Sequence, residues 1–135
     1  MRDKSALWPA RRICEELVRV TLGREVVSCL ERWKAVPKSA CARPGERPEP
    51  EIHFESMRVV STVFRPQRIT VVDDFVTKGA TLLAAVSRVQ AAFPDSSVRG
   101  FALVRTRGLV PEVERILDPC VGRITCRGGV VRRDP

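Results

Sequence analysis

A single α/β domain built on a parallel sheet flanked by helices is what this sequence predicts, and three observations carry the prediction. Apolar runs from Ile69 to Val72 and from Val98 to Val104 read as buried strands, and a helical pattern from about Thr81 to Phe93 separates them. Helix and strand signals alternate elsewhere along the chain, the pattern of α/β proteins. At 135 residues the chain, taken as one domain over 1–135, is large enough for a single core.

The first element expected is a helix from about Pro9 to Leu22, with Pro9 early, Gly23 just past the end, and Ile13, Leu17 and Val20 as its buried stripe. Glu25 to Leu30 read as a short strand. From Glu31 to Glu51 the chain is polar, and Pro44, Pro48 and Pro50 forbid regular structure through most of it. A Pro-rich basic loop at about 34–51 follows, carrying Lys34, Lys38, Arg43 and Arg47. His53 and Ser56 are placed to anchor its return. Met57 to Val63 are expected as an antiparallel or edge strand before the turn at Pro66, and the strand after it begins at Arg68. In the next helix Leu82, Val86, Val89 and Phe93 fall at core spacing, while Ser87, Arg88 and Gln90 face water. Val98 to Val104 are followed by a short helix from Pro111 to Leu117 and a last strand from Ile124 to Arg127. Gly128 to Pro135 read as a mobile tail. This order suits a Rossmann-like parallel sheet, whose ligands sit at the carboxyl ends of the strands.

Composition narrows the partners. Hydrophobic content of 44% with 30% charged residues is ordinary for a soluble globule, and no apolar run approaches the roughly 20 residues of a membrane span, so no membrane partner is expected. A net charge of +8 suits an anionic ligand or a nucleic-acid surface equally. Cys14, Cys29, Cys41, Cys120 and Cys126 contain no CxxC pair, which points to reduced, mostly buried thiols rather than a zinc site or a disulfide framework. With no export signal, a cytoplasmic location is expected. His53 is the only histidine, which gives a hydrolytic triad little support.

The residues that carry chemistry are VVDDFVTKGAT, Val71 to Thr81, at the end of an apolar strand. A helix N-terminus offers unpaired N–H groups and partial positive charge, which bind phosphate without further help. Gly79 lets the backbone approach an anion and tolerates positive φ, Ala80 keeps the turn small, and the Thr77 and Thr81 hydroxyls donate beside the amides. Lys78 adds a point charge. Asp73 and Asp74, taken to end the strand, accept hydrogen bonds from vicinal hydroxyls or hold the waters of a Mg²⁺. The competing reading is that both acids cap the helix and Gly79 relieves a tight turn. A Walker-type loop is excluded because Lys78 precedes Gly79, with no earlier Gly at the required spacing.

The string ITVVDDFVTKGATL, Ile69 to Leu82, resembles the phosphoribosyl-pyrophosphate (PRPP) motif of type I phosphoribosyltransferases. The resemblance implies that Asp73 and Asp74 hold the ribose 2′ and 3′ hydroxyls and that Thr77, Lys78, Gly79, Ala80 and Thr81 cradle the 5′-phosphate. Lys78 departs from the small hydroxyl residue more usual there. A looser similarity covers KSACARPGERPEPEIHFESMRVV, Lys38 to Val60, and implies a loop that closes over pyrophosphate, with Lys38 and Arg47 as its contacts. Arg105 and Arg107 are placed on the same rim if the sheet is parallel. The family's early strand and pyrophosphate loop are not recognisable before Pro9, so the chain reads as N-terminally truncated relative to the family.

Three functions stay open on these grounds. One is transfer of phosphoribose from PRPP to a nitrogenous base, with Mg²⁺ on the leaving pyrophosphate. Another is an inactive binder of PRPP or a 5′-nucleotide. The third is a nucleic-acid-associated regulator using the basic stretches Lys34 to Arg47 and Arg123 to Arg133. A missing edge strand would leave unpaired backbone, so a homodimer is expected.

Overall fold

Residues 8–36, 50–60, 65–106 and 118–134 are the ones the computed structural model describes. They form α1 (Pro9–Arg19), β1 (Leu30–Arg32), α2 (Pro50–Glu55), β2 (Met57–Val59), β3 (Arg68–Val76), α3 (Ala80–Ala92), β4 (Ser97–Arg105), β5 (Arg123–Arg127) and β6 (Val130–Asp134). The fold is mixed α/β, as expected, but the strands pair in twos. β3 and β4 are parallel, in register from Arg68 opposite Ser97 to Val76 opposite Arg105. β1–β2 and β5–β6 are antiparallel. Among the described residues the strands therefore do not form one continuous parallel sheet. The connections explain the difference: α3 supplies the long crossover a parallel pair needs, whereas only Gly128 and Gly129 join β5 to β6.

Those glycines, with φ of +55° and +77°, give the doubly left-handed turn that matches the twist of a two-residue hairpin. Val130–Asp134, expected as part of a free tail, are thereby folded back onto Arg123–Arg127. The hairpin is amphipathic. Ile124, Cys126, Val131 and Arg133 are half-buried, while Arg123, Arg127 and Arg132 are exposed.

α1 stops three residues before the expected Leu22. Thr21 takes the left-handed conformation (φ 64°), its N–H donates to the Val18 carbonyl, and the Leu22 N–H donates to the Leu17 carbonyl. That pattern is a Schellman termination, completed before Gly23 is reached. Of its expected stripe, Ile13 and Leu17 are half-buried but Val20 is exposed. β1 lies later than the expected Glu25 to Leu30 strand, because only Leu30–Arg32 find a partner in β2. α2 is a helix where the sequence suggested a loop's end, and Pro50 is tolerated because its first-turn position needs no N–H.

Among the described residues the buried apolar core is Met57, Val76, Leu82, Ala84, Ala85 and Val89. α3 lies on the parallel pair so closely that a Cβ at Gly100 would sit 3.0 Å from the Leu82 side chain. Its polar residues do not all face water. Arg88 is half-buried, donates to the Phe54 carbonyl at 3.2 Å, and places its guanidinium 4.0 Å from the Phe54 ring centre. Gln90 Nε2 donates to the carbonyls of Phe93, Pro94 and Ser96, satisfying the chain as it leaves α3 for β4. Val89, only 1% exposed, is the centre of this layer. Val89→Ala is expected to lower unfolding free energy by about 2 kcal/mol in urea titration, the transfer cost of its methyls plus the void they leave.

None of the four described cysteines is fully buried: Cys120 is exposed, and Cys14, Cys29 and Cys126 are half-buried free thiols. Burial raises the thiol pKa of Cys14 and of Cys29. Cys41 lies outside the described residues, as do the segment 61–64 of the expected Met57 to Val63 strand, Lys38, Arg43, Arg47, Arg107 and the expected helix Pro111 to Leu117.

Candidate functional site

β3 does not end at the acid pair. Asp73 pairs in register with Ala102, Phe75 with Val104, and Val76 with Arg105, so both carboxylates lie inside the strand near its carboxyl end. The parallel register also sets Arg105 on the same rim, half-buried, at the end of β4. Thr77 and Lys78, both exposed, turn the chain, and Gly79 is buried at the N-cap of α3 with φ +94°. No side chain caps this helix. The Leu83 amide donates to the Gly79 carbonyl at 2.8 Å, making it the first amide bonded within the helix. The amides of Ala80, Thr81 and Leu82 precede it and have no intrahelical acceptor. The capping alternative for the two acids therefore fails on geometry, since neither reaches the α3 terminus as a cap.

Gly79 answers two demands at once. Its φ lies where side-chain-bearing residues are strained, and a Cβ there would stand 2.5 Å from Ile124 Cδ1 on β5. The turn is therefore packed from above by the β5–β6 hairpin.

Asp73 is half-buried and Asp74 exposed. The Asp74 N–H donates to Asp73 Oδ1 at 3.1 Å. Burial, together with the neighbouring Asp74 carboxylate, holds the Asp73 pKa above the ordinary aspartate value, although the Asp74 N–H and the Arg32 charge pull the other way. Two adjacent acids, one of them short of water, form a site that gains from a ligand bringing hydroxyl donors.

Arg32, on β1, is the cation facing this acid. Its Nη1 donates to Ser56 Oγ at 2.5 Å, and Ser56 Oγ donates to the His53 carbonyl at 2.7 Å. Ser56 and His53 are buried. Burial and the Arg32 charge lower the His53 pKa. Arg32, Asp73 and Thr81 share an open cleft with Cys14 and Val18 of α1.

Arg133, on β6, reaches the other side of the turn. Nη1 donates to the Val76 carbonyl at 3.1 Å and Nη2 donates to the Thr106 carbonyl. The Val76 carbonyl also accepts from the Thr106 N–H at 3.0 Å. Arg32, Ile124 and Arg133 were not identified as site residues from sequence. For the last two a signal existed, since ITCR-GG-VVRR alternates on both sides of a two-glycine turn. For Arg32 there was none, because its place depends on the β1–β2 pairing.

Among the described residues, no three or more His, Cys, Asp or Glu gather where they could hold a metal ion. The acid pair alone suits a Mg²⁺ brought on a phosphate ligand and met through water, since Mg²⁺ keeps much of its hydration. Among the same residues no helix is long and apolar enough to cross a membrane. Comparison with protein-family models, with curated proteins and with solved structures gave no match.

Proposed function

We propose that this chain binds a 5′-phosphoribosyl ligand, PRPP or a 5′-nucleotide, on a Rossmann-like core of the type I phosphoribosyltransferase kind. One observation carries the reading: β3 and the turn after it bring an acid pair, a left-handed glycine and three helix amides without an intrahelical acceptor in succession, at the carboxyl end of a parallel β–α–β unit. Asp73 and Asp74 accept from the ribose hydroxyls, and the Thr77–Thr81 segment receives the 5′-phosphate with its amides and hydroxyls. Lys78, exposed on the turn, adds charge without a fixed contact. Lys38 and Arg47 enter the proposal through the family resemblance alone. Mg²⁺, when PRPP brings it, would neutralise charge on the pyrophosphate.

Transfer is the further step of the same reading. A base nitrogen would attack C1′ as the bond from C1′ to the pyrophosphate oxygen breaks, and positioning of the ribose by the two carboxylates would dominate the rate. The same site without the transfer step is a regulatory binder, which pyrophosphate release with a panel of bases distinguishes.

Calorimetry with PRPP, with and without Mg²⁺, tests the binding claim. Asp74→Asn should weaken PRPP about tenfold to a hundredfold, the worth of a charge-assisted hydrogen bond, with little effect on folding because Asp74 is exposed. No binding of PRPP by the unaltered chain would sink the enzyme, and no binding of either PRPP or a 5′-nucleotide would sink the binder as well. Salt-dependent binding to DNA or RNA that Asp74→Asn leaves unchanged would favour a nucleic-acid partner instead.

A further inference from the structure

The β5–β6 hairpin contributes more than a cover. Its inner face brings one guanidinium to the main-chain carbonyls of Val76 and Thr106, which close β3 and follow β4. Val76 is the last residue before the Thr77–Gly79 turn, and its carbonyl already accepts the Thr106 amide. A neutral amide bond and a charged fork therefore meet on the peptide from which the turn departs. Ile124, on the partner strand, fills the space above Gly79. The hairpin thus fixes both the start of the turn, through Val76, and its end, through Gly79.

We infer that Arg133 is a positioning residue for the anion-binding turn, holding Thr77–Thr81 in register with the acid pair by tying the carboxyl ends of β3 and β4 to the β5–β6 hairpin. The inference rests on the ligand reading above for its function, but not for its geometry. Arg133 does not touch the ligand in this account. Its guanidinium is committed to two carbonyls, and its planar fork spans one acceptor that closes β3 and one that follows β4, which an ammonium would meet with less directional control. Preorganisation is what the site needs, because an anion-binding turn that must be ordered on binding loses affinity to that ordering.

Arg132 supplies the control. It is the adjacent residue, its side chain is 82% exposed, and it pairs only loosely with Asp134 at 3.6 Å. Arg132→Met removes the same charge as Arg133→Met from almost the same place. General attraction for the PRPP anion would make the two variants alike; positioning makes them differ.

The experiment measures PRPP affinity by calorimetry and amide hydrogen exchange in the ligand-free full chain, for Arg133→Met, Arg133→Lys and Arg132→Met. Arg133→Met should weaken PRPP about tenfold or more, Arg133→Lys should restore part of the loss, and Arg132→Met should change it less than about threefold. In the free chain, Arg133→Met should speed exchange of the Thr106 amide about tenfold, with the Val60 amide, bonded to the Cys29 carbonyl beside the separate β1–β2 pair, unchanged. Equal loss of affinity in Arg133→Met and Arg132→Met would overturn the inference while leaving the ligand reading intact. Failure of the unaltered chain to bind PRPP would overturn that reading, and the Thr106 exchange would then decide the anchoring by itself. Parallel acceleration at Thr106 and Val60, or none at either, counts against it; if Arg133→Met does not fold, Arg133→Lys set against Arg132→Lys makes the comparison at constant charge, and equal affinities in those two would overturn the inference.

Discussion

Replacing Gly79 by valine is expected to abolish PRPP binding and to lower unfolding free energy by about 2–5 kcal/mol, the combined cost of a left-handed backbone and an overpacked contact. The two causes are separable. A Cβ at this position meets φ +94°, which strains any residue with a side chain, and it also meets Ile124 Cδ1 at 2.5 Å. Ile124 is a side-chain tip and can give way, whereas φ cannot change without moving the start of α3. Gly79→Ala with Ile124→Ala should therefore recover part of the stability lost in Gly79→Ala alone, leaving about 1–2 kcal/mol of backbone strain. PRPP binding should not return with it, because the strained φ at residue 79 still misaims the α3 amides once Ile124 has given way. Urea titration of the four members of this cycle, with calorimetry beside it, checks both parts. Full additivity of the two substitutions would remove the contact from the account.

How far the sequence carries depends on whether an element is fixed locally or by its partners. β3, α3 and β4 were legible because each carries its own signal: an apolar run, core spacing at Leu82 and Val89, and an interval long enough for a crossover. Even there the strand boundary missed Phe75 and Val76, since pairing with Val104 and Arg105 extends β3 past two acids that read locally as a strand end. β1 was misplaced for the same reason. The apolar Val26–Cys29 run looks more strand-like than Leu30–Arg32, yet only the latter has β2 beside it. α1 stopped early because a threonine adopted the left-handed cap that the sequence assigns more naturally to Gly23. The site divides along the same line. Its contiguous half, Asp73 to Thr81, could be read as a motif, while Arg32 and Arg133 come from β1 and β6 and enter only through long-range pairing. The expectation of a free tail hid the second of these, although the two-glycine turn was visible.

Asp73→Asn should separate stability from function in opposite directions. The Asp73 carboxyl titrates above its unfolded value of about 3.9, chiefly through burial and then through Asp74. Between the unfolded and folded pKa values the native chain binds more of this proton than the unfolded chain does. Stability from this group is therefore fully present below the unfolded pKa and declines as pH rises through the folded pKa. At neutral pH the folded chain carries an ionised, half-buried acid against another acid, and Asn relieves both burdens while keeping an acceptor for the Asp74 N–H. The melting temperature of Asp73→Asn should exceed that of the unaltered chain at pH 7, and the gap should close as pH falls below about 4. Binding moves the other way. If ribose hydroxyls donate to the ionised carboxylate, as proposed, PRPP affinity in the unaltered chain should rise with pH through the Asp73 titration, and Asp73→Asn should lose both the affinity and that pH dependence. Thermal melts and calorimetry across pH 3.5 to 7 measure the two together. A variant that is less stable at pH 7, or one that binds PRPP undiminished, would show that the acid pair is kept for the fold rather than for a ligand; the expected pairing of greater stability with lost binding is what a site strained for its ligand should give.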